Sequence, residues 1–297
     1  MPPLKTKKAL TPLDAVLAIL FVGIGLYLLY RINVGLNYKW NWSTIPQYLF
    51  RYDPQQKSWL PNLLMQGFFT TIRLSFWGTI LATLLGTMMG LFRLSRRLFR
   101  RLVGGTYVEL IRNLPPLVLI FIFYFFISDQ IMPVLSVEEF IHTRSESTKT
   151  ILAFLFAPAS QFPAFLSALV TLAVFEGAYI TEIVRAGIQS IEKGQWEVSS
   201  ALGFSRKQQL RHIIFPQAVQ RILPPLAGQF ISTIKDSAIV SVISIQELTF
   251  QGIELMSATY LTFEVWITIS LLYLSLTLSL SLTIGRLEIY MKRKGAG

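Results

Sequence analysis

The chain has no cysteine in 297 residues. Disulfides, thiolate metal sites and cysteine nucleophiles are therefore excluded. Histidine is nearly absent, and His142 and His212 lie too far apart in sequence to read as a metal cluster. Charge is scarce too. Asp, Glu, Lys and Arg make up 14% of the residues, where an ordinary soluble chain has about 25%. A chain that is 53% hydrophobic cannot cover its surface with polar groups, which excludes a soluble enzyme. There is also no G-x-x-x-x-G-K-[ST] phosphate loop, so the chain cannot hydrolyse ATP by that route. No histidine pair or nucleophile motif supports catalysis within a membrane either.

What is present is a series of long apolar runs. A spanning helix needs about 20 mostly apolar residues. Six stretches come near that length: 13–32, 64–92, 107–132, 162–184, 222–245 and 262–285. The first follows Lys5, Lys7 and Lys8 but is long for a signal peptide, and no A-x-A-like cleavage site follows it. It reads as a retained helix. The expected fold is therefore all-α and polytopic, with about six transmembrane helices.

The net charge of +11 has two readings, nucleic-acid binding or basic loops on the cytoplasmic side. The map of the 27 Lys and Arg residues decides between them. With the N-terminus inside, the inner segments hold Lys5 to Lys8, Arg93 to Arg101, Arg185 to Arg221 and Arg286 to Lys294. They outweigh the outer segments by about three to one, which is the positive-inside pattern. Both termini are expected in the cytoplasm, and no nucleic acid is needed. The outer segment 33–62 carries Trp40, Trp42 and Trp59, as an interfacial aromatic belt would. Residues 133–161 read as a surface loop with a short helix at its start.

The stretch 185–221 is too polar to span and too patterned to be a linker. A helix-compatible run, QWEVSSAL, ends at Gly203, and Ser205 with Gln208 makes a capping-box signature for a second helix. Pro216 reads as a boundary. By pattern alone this is an amphipathic hairpin on the headgroups or a docking element.

Glu197, Gly203, Ile213 and Pro216 fall on the spacing E-A-A-x3-G-x9-I-x-L-P, the cytoplasmic-loop signature of permease subunits in ABC importers. Val198, Ser199 and Phe215 depart from it. The segments GAYITEIVRAGIQSIEKGQWE, IIFPQAVQRILPPL, ISTIKDSAIVSVISIQEL, QGFFTTIRLSFWGT and YVELIRNLPPLVL also resemble the polar amino-acid branch of that family, the histidine, glutamine and arginine type. The likeness covers roughly 64–290. Family members often have five spans, so the first span and 33–62 resemble additions found in the longer glutamate/glutamine/aspartate subgroup.

The resemblance implies a type I ABC-importer permease fold in a bacterial inner membrane. It divides the chain into an N-terminal extra helix and aromatic-rich segment (1–62), a core permease domain (63–290) and a basic cytoplasmic tail (291–297). It implies an ABC ATPase dimer as partner, carrying ATP and Mg, and no cofactor on this chain. It further implies an extracytoplasmic amino-acid-binding protein and a second permease subunit, a paralogue being favoured over a second copy. Residues 194–208 are expected to form the coupling helix. Gly203 gives a tight turn there, Trp196 and Phe204 are apolar anchors, and Glu197, Arg206 and Lys207 are orienting charges. Gly194 and Pro216 bound the element. The rival reading is an ATP-independent ion-coupled carrier or channel.

Ionisable groups within spans are costly and are functional candidates by default. Glu176 and Tyr179, spaced i, i+3, are expected to share one face. Lys235 and Asp236, beside Ser237, are expected to point about 100° apart and to meet different partners. With Arg73 these form the candidate substrate pathway. A zwitterion needs an acceptor for its ammonium and a donor for its carboxylate, and Glu176, Asp236 and Lys235 supply both. The alternative is that these charges only lock helices together. Gly86 and Gly90, with Ala82 one turn earlier, read as a packing stripe. Glu109 and Arg112 read as an i, i+3 ion pair before a kink at Pro115 and Pro116.

Overall fold

The computed structural model describes residues 12–35, 38–55 and 57–295. It divides into two compact units, residues 1–41 and 42–297. The first contains helix α1, Pro12–Gly35. Lys5, Lys7 and Lys8 lie outside the described residues.

The second unit begins with a short helix α2, Ile45–Leu49, and an antiparallel hairpin of β1, Phe50–Asp53, and β2, Ser58–Pro61. This hairpin is the one sheet among the described residues of an otherwise helical chain. Tyr52 pairs with Trp59 across it, ring centroids 5.6 Å apart, so the expected aromatic belt is here a cross-strand pair.

Helix α3, Leu63–Arg93, follows, then α4, Leu98–Asn113, and α5, Pro116–Phe126. A single kinked span over 107–132 does not form. Proline disfavours the helical conformation at the residue before it. Leu114 has ψ 149 and Pro115 has ψ 130, so the chain is extended between two separate helices. The spanning helix thus starts at Pro116 and reaches Val134 through a π-turn, Ile127–Ile131, and α6, Met132–Val134. Glu109 and Arg112 do not pair. The Asn113 amide donates to the Glu109 carbonyl (2.8 Å) and carboxylate (2.9 Å), closing the last turn of α4. Arg112 instead lies over the Tyr179 ring, 5.4 Å from its centroid.

The segment read as a surface loop folds into α7, Val137–His142, and α8, Glu146–Leu155, the latter N-capped by Ser145. The polar run SESTK hides a helix start, because Ser accepts from the Thr148 amide.

Helix α9, Phe162–Gln189, is the most enclosed element and runs parallel to α3. The seam is the predicted small-residue stripe. A Cβ added at Gly86 would sit 2.7 Å from Ile180 Cβ and 2.9 Å from the Gly177 carbonyl, and one at Gly90 would sit 2.9 Å from Val184 Cγ1. Gly78 meets Leu172 in the same register. Such close backbones gain dispersion contact that lipid cannot replace. Gly86→Ala is expected to force the pair apart and destabilise the protein by about 1–3 kcal/mol. Thermal unfolding in detergent reads this as a lowered Tm. Gly105→Ala, where nothing lies within 4 Å, is the control that leaves the Tm unchanged or raised.

Beyond α9 come α10, Lys193–Ala201, and α11, Arg206–Gln208, which passes through a π-turn, Gln209–Ile214, into α12, Phe215–Asp236. Pro216 is not the expected boundary. It lies in the first turn of α12, where its missing N–H is tolerated after the wide π-turn, and one helical span runs from Arg206 to Ile243. After a 3₁₀ segment, Ser237–Ile243, the chain forms α13, Leu248–Thr259, and α14, Thr262–Gly295.

The buried Glu247 N-caps α13 through the amides of Thr249 (2.9 Å) and Phe250 (2.8 Å), and accepts from the Tyr273 hydroxyl of α14 at 2.9 Å. Thr71 of α3 donates to it at 3.4 Å. Burial pushes this carboxyl up to about 7, against the pull of those four donors. One side chain thereby joins three helices.

Among the described residues five helices are long and apolar enough to cross a membrane: Leu63–Arg93, Pro116–Val134, Ala159–Gln189, Arg206–Ile243 and Thr262–Arg286. Helix α1 is 24 residues long, and an apolar helical stretch is found in it over Pro12–Tyr27.

Candidate functional site

The loop between α9 and α12 is a helical hairpin built around Gly203. The Gly203 amide donates to the Ser200 carbonyl (3.0 Å) and the Phe204 amide to that of Ser199 (3.1 Å), the paired bonds of a Schellman C-cap. That motif needs a left-handed residue, and Gly203 has φ +75. The predicted capping box forms at Ser205 and Gln208, whose side chain accepts from the Ser205 amide at 2.8 Å. Buried Gln209 holds the turn closed by donating to Ser200 Oγ (2.8 Å) and the Phe204 carbonyl (3.2 Å). Sequence reasoning missed Gln209, which no local pattern distinguishes from its neighbours.

The side chains facing out of this hairpin differ in part from the expected anchors. Trp196 is half-buried against the chain's own core, and Arg206 lies over its ring, 4.2 Å from the centroid. It fastens the hairpin to the bundle. The outward apolar surface is instead Val198, Leu202 and Phe204, which are 61%, 69% and 36% exposed. Val198 and Leu202 are spaced i, i+4, so they share a face of α10 and its cap. That spacing in an otherwise polar run is the signal that could have revealed them. Gly194 and Glu197 are exposed on the same hairpin, and Pro216 is exposed at the start of α12.

At the C-terminal ends of α3 and α9 the hairpin borders a cavity of about 1010 Å³. Its rim carries Arg96, Arg97, Arg100, Lys193, Arg206 and Lys207, over a floor that includes Leu91, Ile188 and Leu210. Outside that lining, Glu182 of α9 forms part-buried ion pairs with Arg93 of α3 and, at 2.7 Å, with Arg185.

The candidate pathway residues divide. Glu176 is fully buried and accepts from Gln229 of α12 at 2.6 Å through Oε2, while Oε1 has no hydrogen-bond partner. Asp236, half-buried, interacts with the same carboxyl, so α9 and α12 bring two acidic groups together. Lys235 is exposed on another face, as the 100° offset requires. Tyr179 does not join Glu176. It packs on Phe175, centroids 5.4 Å apart, in the cluster shared with α4 and α5. Ser237 is buried and bonds back to the Ile234 carbonyl at 2.8 Å, which fits a structural place at the start of the 3₁₀ segment. Arg73 donates to the carbonyls of Ala153 (2.9 Å) and Phe156 (3.0 Å), tying α3 to the end of α8, where the helix leaves orphan acceptors.

Residues 82–288 match the family model described as the inner membrane component of binding-protein-dependent transport systems. The chain belongs to that family. It is 32% identical over 229 residues to the probable glutamine ABC transporter permease protein GlnM of Bacillus subtilis (strain 168), covering 76% of this chain and 92% of that one. It is 29% identical over 257 residues to the glutamate/aspartate import permease protein GltJ of Escherichia coli (strain K12), covering 86% and 96%. A crystal structure of an amino acid ABC transporter with histidines superposes with a TM-score of 0.64 at 28% identity, over 85% of this chain and all of that one. This is a multi-pass transport permease and not an enzyme.

Proposed function

We propose that the chain is the permease subunit of an ATP-driven importer for polar amino acids, acidic or neutral polar ones being favoured. The named substrates of its relatives support that class, glutamine for one and glutamate/aspartate for another. The observation that carries the reading is the Gly203-capped hairpin with its outward Val198, Leu202 and Phe204. It has the apolar centre and charged surround of an interface hot spot. In this reading the hairpin lies in the cytoplasm and seats in an ATPase subunit that holds ATP and Mg, this chain holding neither. Both termini are cytoplasmic, α1 is an added span, and residues 1–62 precede the core domain. A second permease subunit, a paralogue by preference, completes the pathway, and a binding protein delivers substrate from outside. ATPase closure turns the cavity outward, and release of hydrolysis products returns it inward.

Within the pathway Glu176 and Asp236 are the acceptors for a substrate ammonium, and Lys235 is the donor for its carboxylate. Arg73, Tyr179 and Ser237 border the pathway and hold helices in place.

Uptake into vesicles tests the reading. Transport is expected to require ATP, and the solubilised chain is expected to isolate with an ATPase. Isolation without one, with uptake surviving ATP depletion, would establish the ion-coupled carrier instead. Gly203→Val is a sharper probe. A β-branched residue at a left-handed position costs about 1–2 kcal/mol, yet nothing lies within 4 Å of the added Cβ. Insertion is expected to be normal while uptake falls by about tenfold or more, the hairpin having lost its docking shape. Normal uptake by this variant counts against the docking role.

A further inference from the structure

We propose that the basic cavity beneath the hairpin is a binding site for the headgroup of an anionic phospholipid. The proposal rests on the reading that this loop is cytoplasmic. Six cations converge on the cavity, and no acidic residue lines it. Among the described residues none of the six forms a salt bridge, and the Glu182 carboxylate is engaged by Arg93 and Arg185. Six cations gathered around one cavity with no acidic residue in its lining attract an anion.

The floor identifies which anion. Free phosphate has no use for the apolar side chains that, with Ser95 and Gln189, make up the rest of the lining. A phospholipid matches both parts, with its phosphate at the rim and its glycerol and upper acyl carbons on Leu91, Ile188 and Leu210. The cavity lies where the apolar run of α3 ends at Arg93 and the basic turn begins, at the level of a bilayer's inner interface. Two rim cations lie against aromatic faces, Arg206 over Trp196 and Arg100 over Phe92 at 5.8 Å, so their charge is presented without carboxylate partners. Basic pockets between helices on the cytoplasmic side hold anionic headgroups through this combination. Because Trp196, Arg206 and Lys207 belong to the hairpin while Leu91 belongs to the end of α3 and Arg96 to the turn after it, one bound headgroup bridges the two. Anionic lipid would thereby tie the coupling element to the bundle.

The test uses the complex purified in mild detergent with its ATPase. Phosphatidylglycerol and phosphatidylcholine are added in equal amounts, and lipids retained on the permease are counted by native mass spectrometry. The wild type is expected to prefer phosphatidylglycerol. Each cation near a lipid surface contributes about fivefold, so Arg96→Gln/Arg100→Gln is expected to lose about 25-fold in that preference. Arg211→Gln, an exposed cation that does not line the cavity, is expected to keep it.

Equal retention of the two lipids by the wild type overturns the proposal, as does an undiminished preference in the double variant. Loss of the ATPase from the double variant with its lipid retained also overturns it, since the cations would then face an acidic protein surface. Displacement of phosphatidylglycerol by inorganic phosphate overturns it in favour of a site for the free ion. Lipid is read on the permease itself and ATPase by co-purification. A wild type that prefers phosphatidylglycerol yet isolates without an ATPase therefore sinks the docking reading and leaves the lipid site standing.

Discussion

Leu202→Asp is expected to release the ATPase from the purified complex. Leu202 is 69% exposed and sits one turn after Val198 on the outward face of the hairpin. A central apolar anchor contributes about 2–4 kcal/mol to an interface of this kind, which corresponds to a Kd raised by roughly 30- to 1000-fold. An aspartate there also leaves a carboxylate desolvated on docking, which adds to the loss. The fold is expected to be untouched. The Leu202 side chain belongs to none of the chain's core clusters, and the backbone bonds of the Gly203 cap do not involve it. Size-exclusion chromatography and subunit stoichiometry give the readout, with Tm as the check on folding. Stoichiometric ATPase on a well-folded Leu202→Asp variant would remove the hairpin from the coupling role.

The second large effect is expected at Glu176. Glu176→Gln keeps the volume and keeps an acceptor for Gln229, but it removes the charge that an ammonium would meet. A hydrogen bond to a charged group contributes about 1.5–3 kcal/mol, so uptake is expected to fall by roughly 10- to 100-fold. ATPase binding and Tm should change little. The alternative, that Glu176 only locks α9 to α12, predicts the opposite split, a lowered Tm with uptake falling no further than the amount of folded protein. Measuring both on the same preparation separates the two. The geometry favours substrate contact because a second acidic group, Asp236, lies against the buried Glu176 carboxyl, an arrangement that a cation between them would stabilise.

Much of this architecture was legible in residue order. Patterns that act over one or two helical turns were read correctly. Gly86 and Gly90 pack against Ile180 and Val184, Ser205 and Gln208 form their capping box, and Gly203 has the left-handed backbone its position requires. Misreadings came where a local signal had two physical outcomes. Proline after Leu114 was expected to kink a helix and instead separated two. Proline at 216 was expected to end one and instead begins α12 after a π-turn. At 114–116 the backbone is extended over Leu114 and Pro115, whereas Phe215 before Pro216 stays helical, as does the chain through Pro224 and Pro225, so proline alone does not decide the outcome. Glu109 and Arg112 had the spacing of an ion pair, but Asn113 and the Tyr179 ring offered each a nearer partner.

The sequence by itself determined that this is a membrane protein, roughly where its chain crosses, which segments are basic and where its polar hairpin lies. Composition and short-range periodicity suffice for these, because each is decided by transfer of a local segment between water and lipid. Only the tertiary structure decided which side chains face one another across helices. It brought Glu176 to Gln229 and Asp236, turned Tyr179 towards α4, placed Arg73 on the end of α8, and turned Val198 and Leu202 outward while Trp196 packed in. Those outcomes depend on crossing geometry and on competition among partners distant in sequence, which no window along the chain contains.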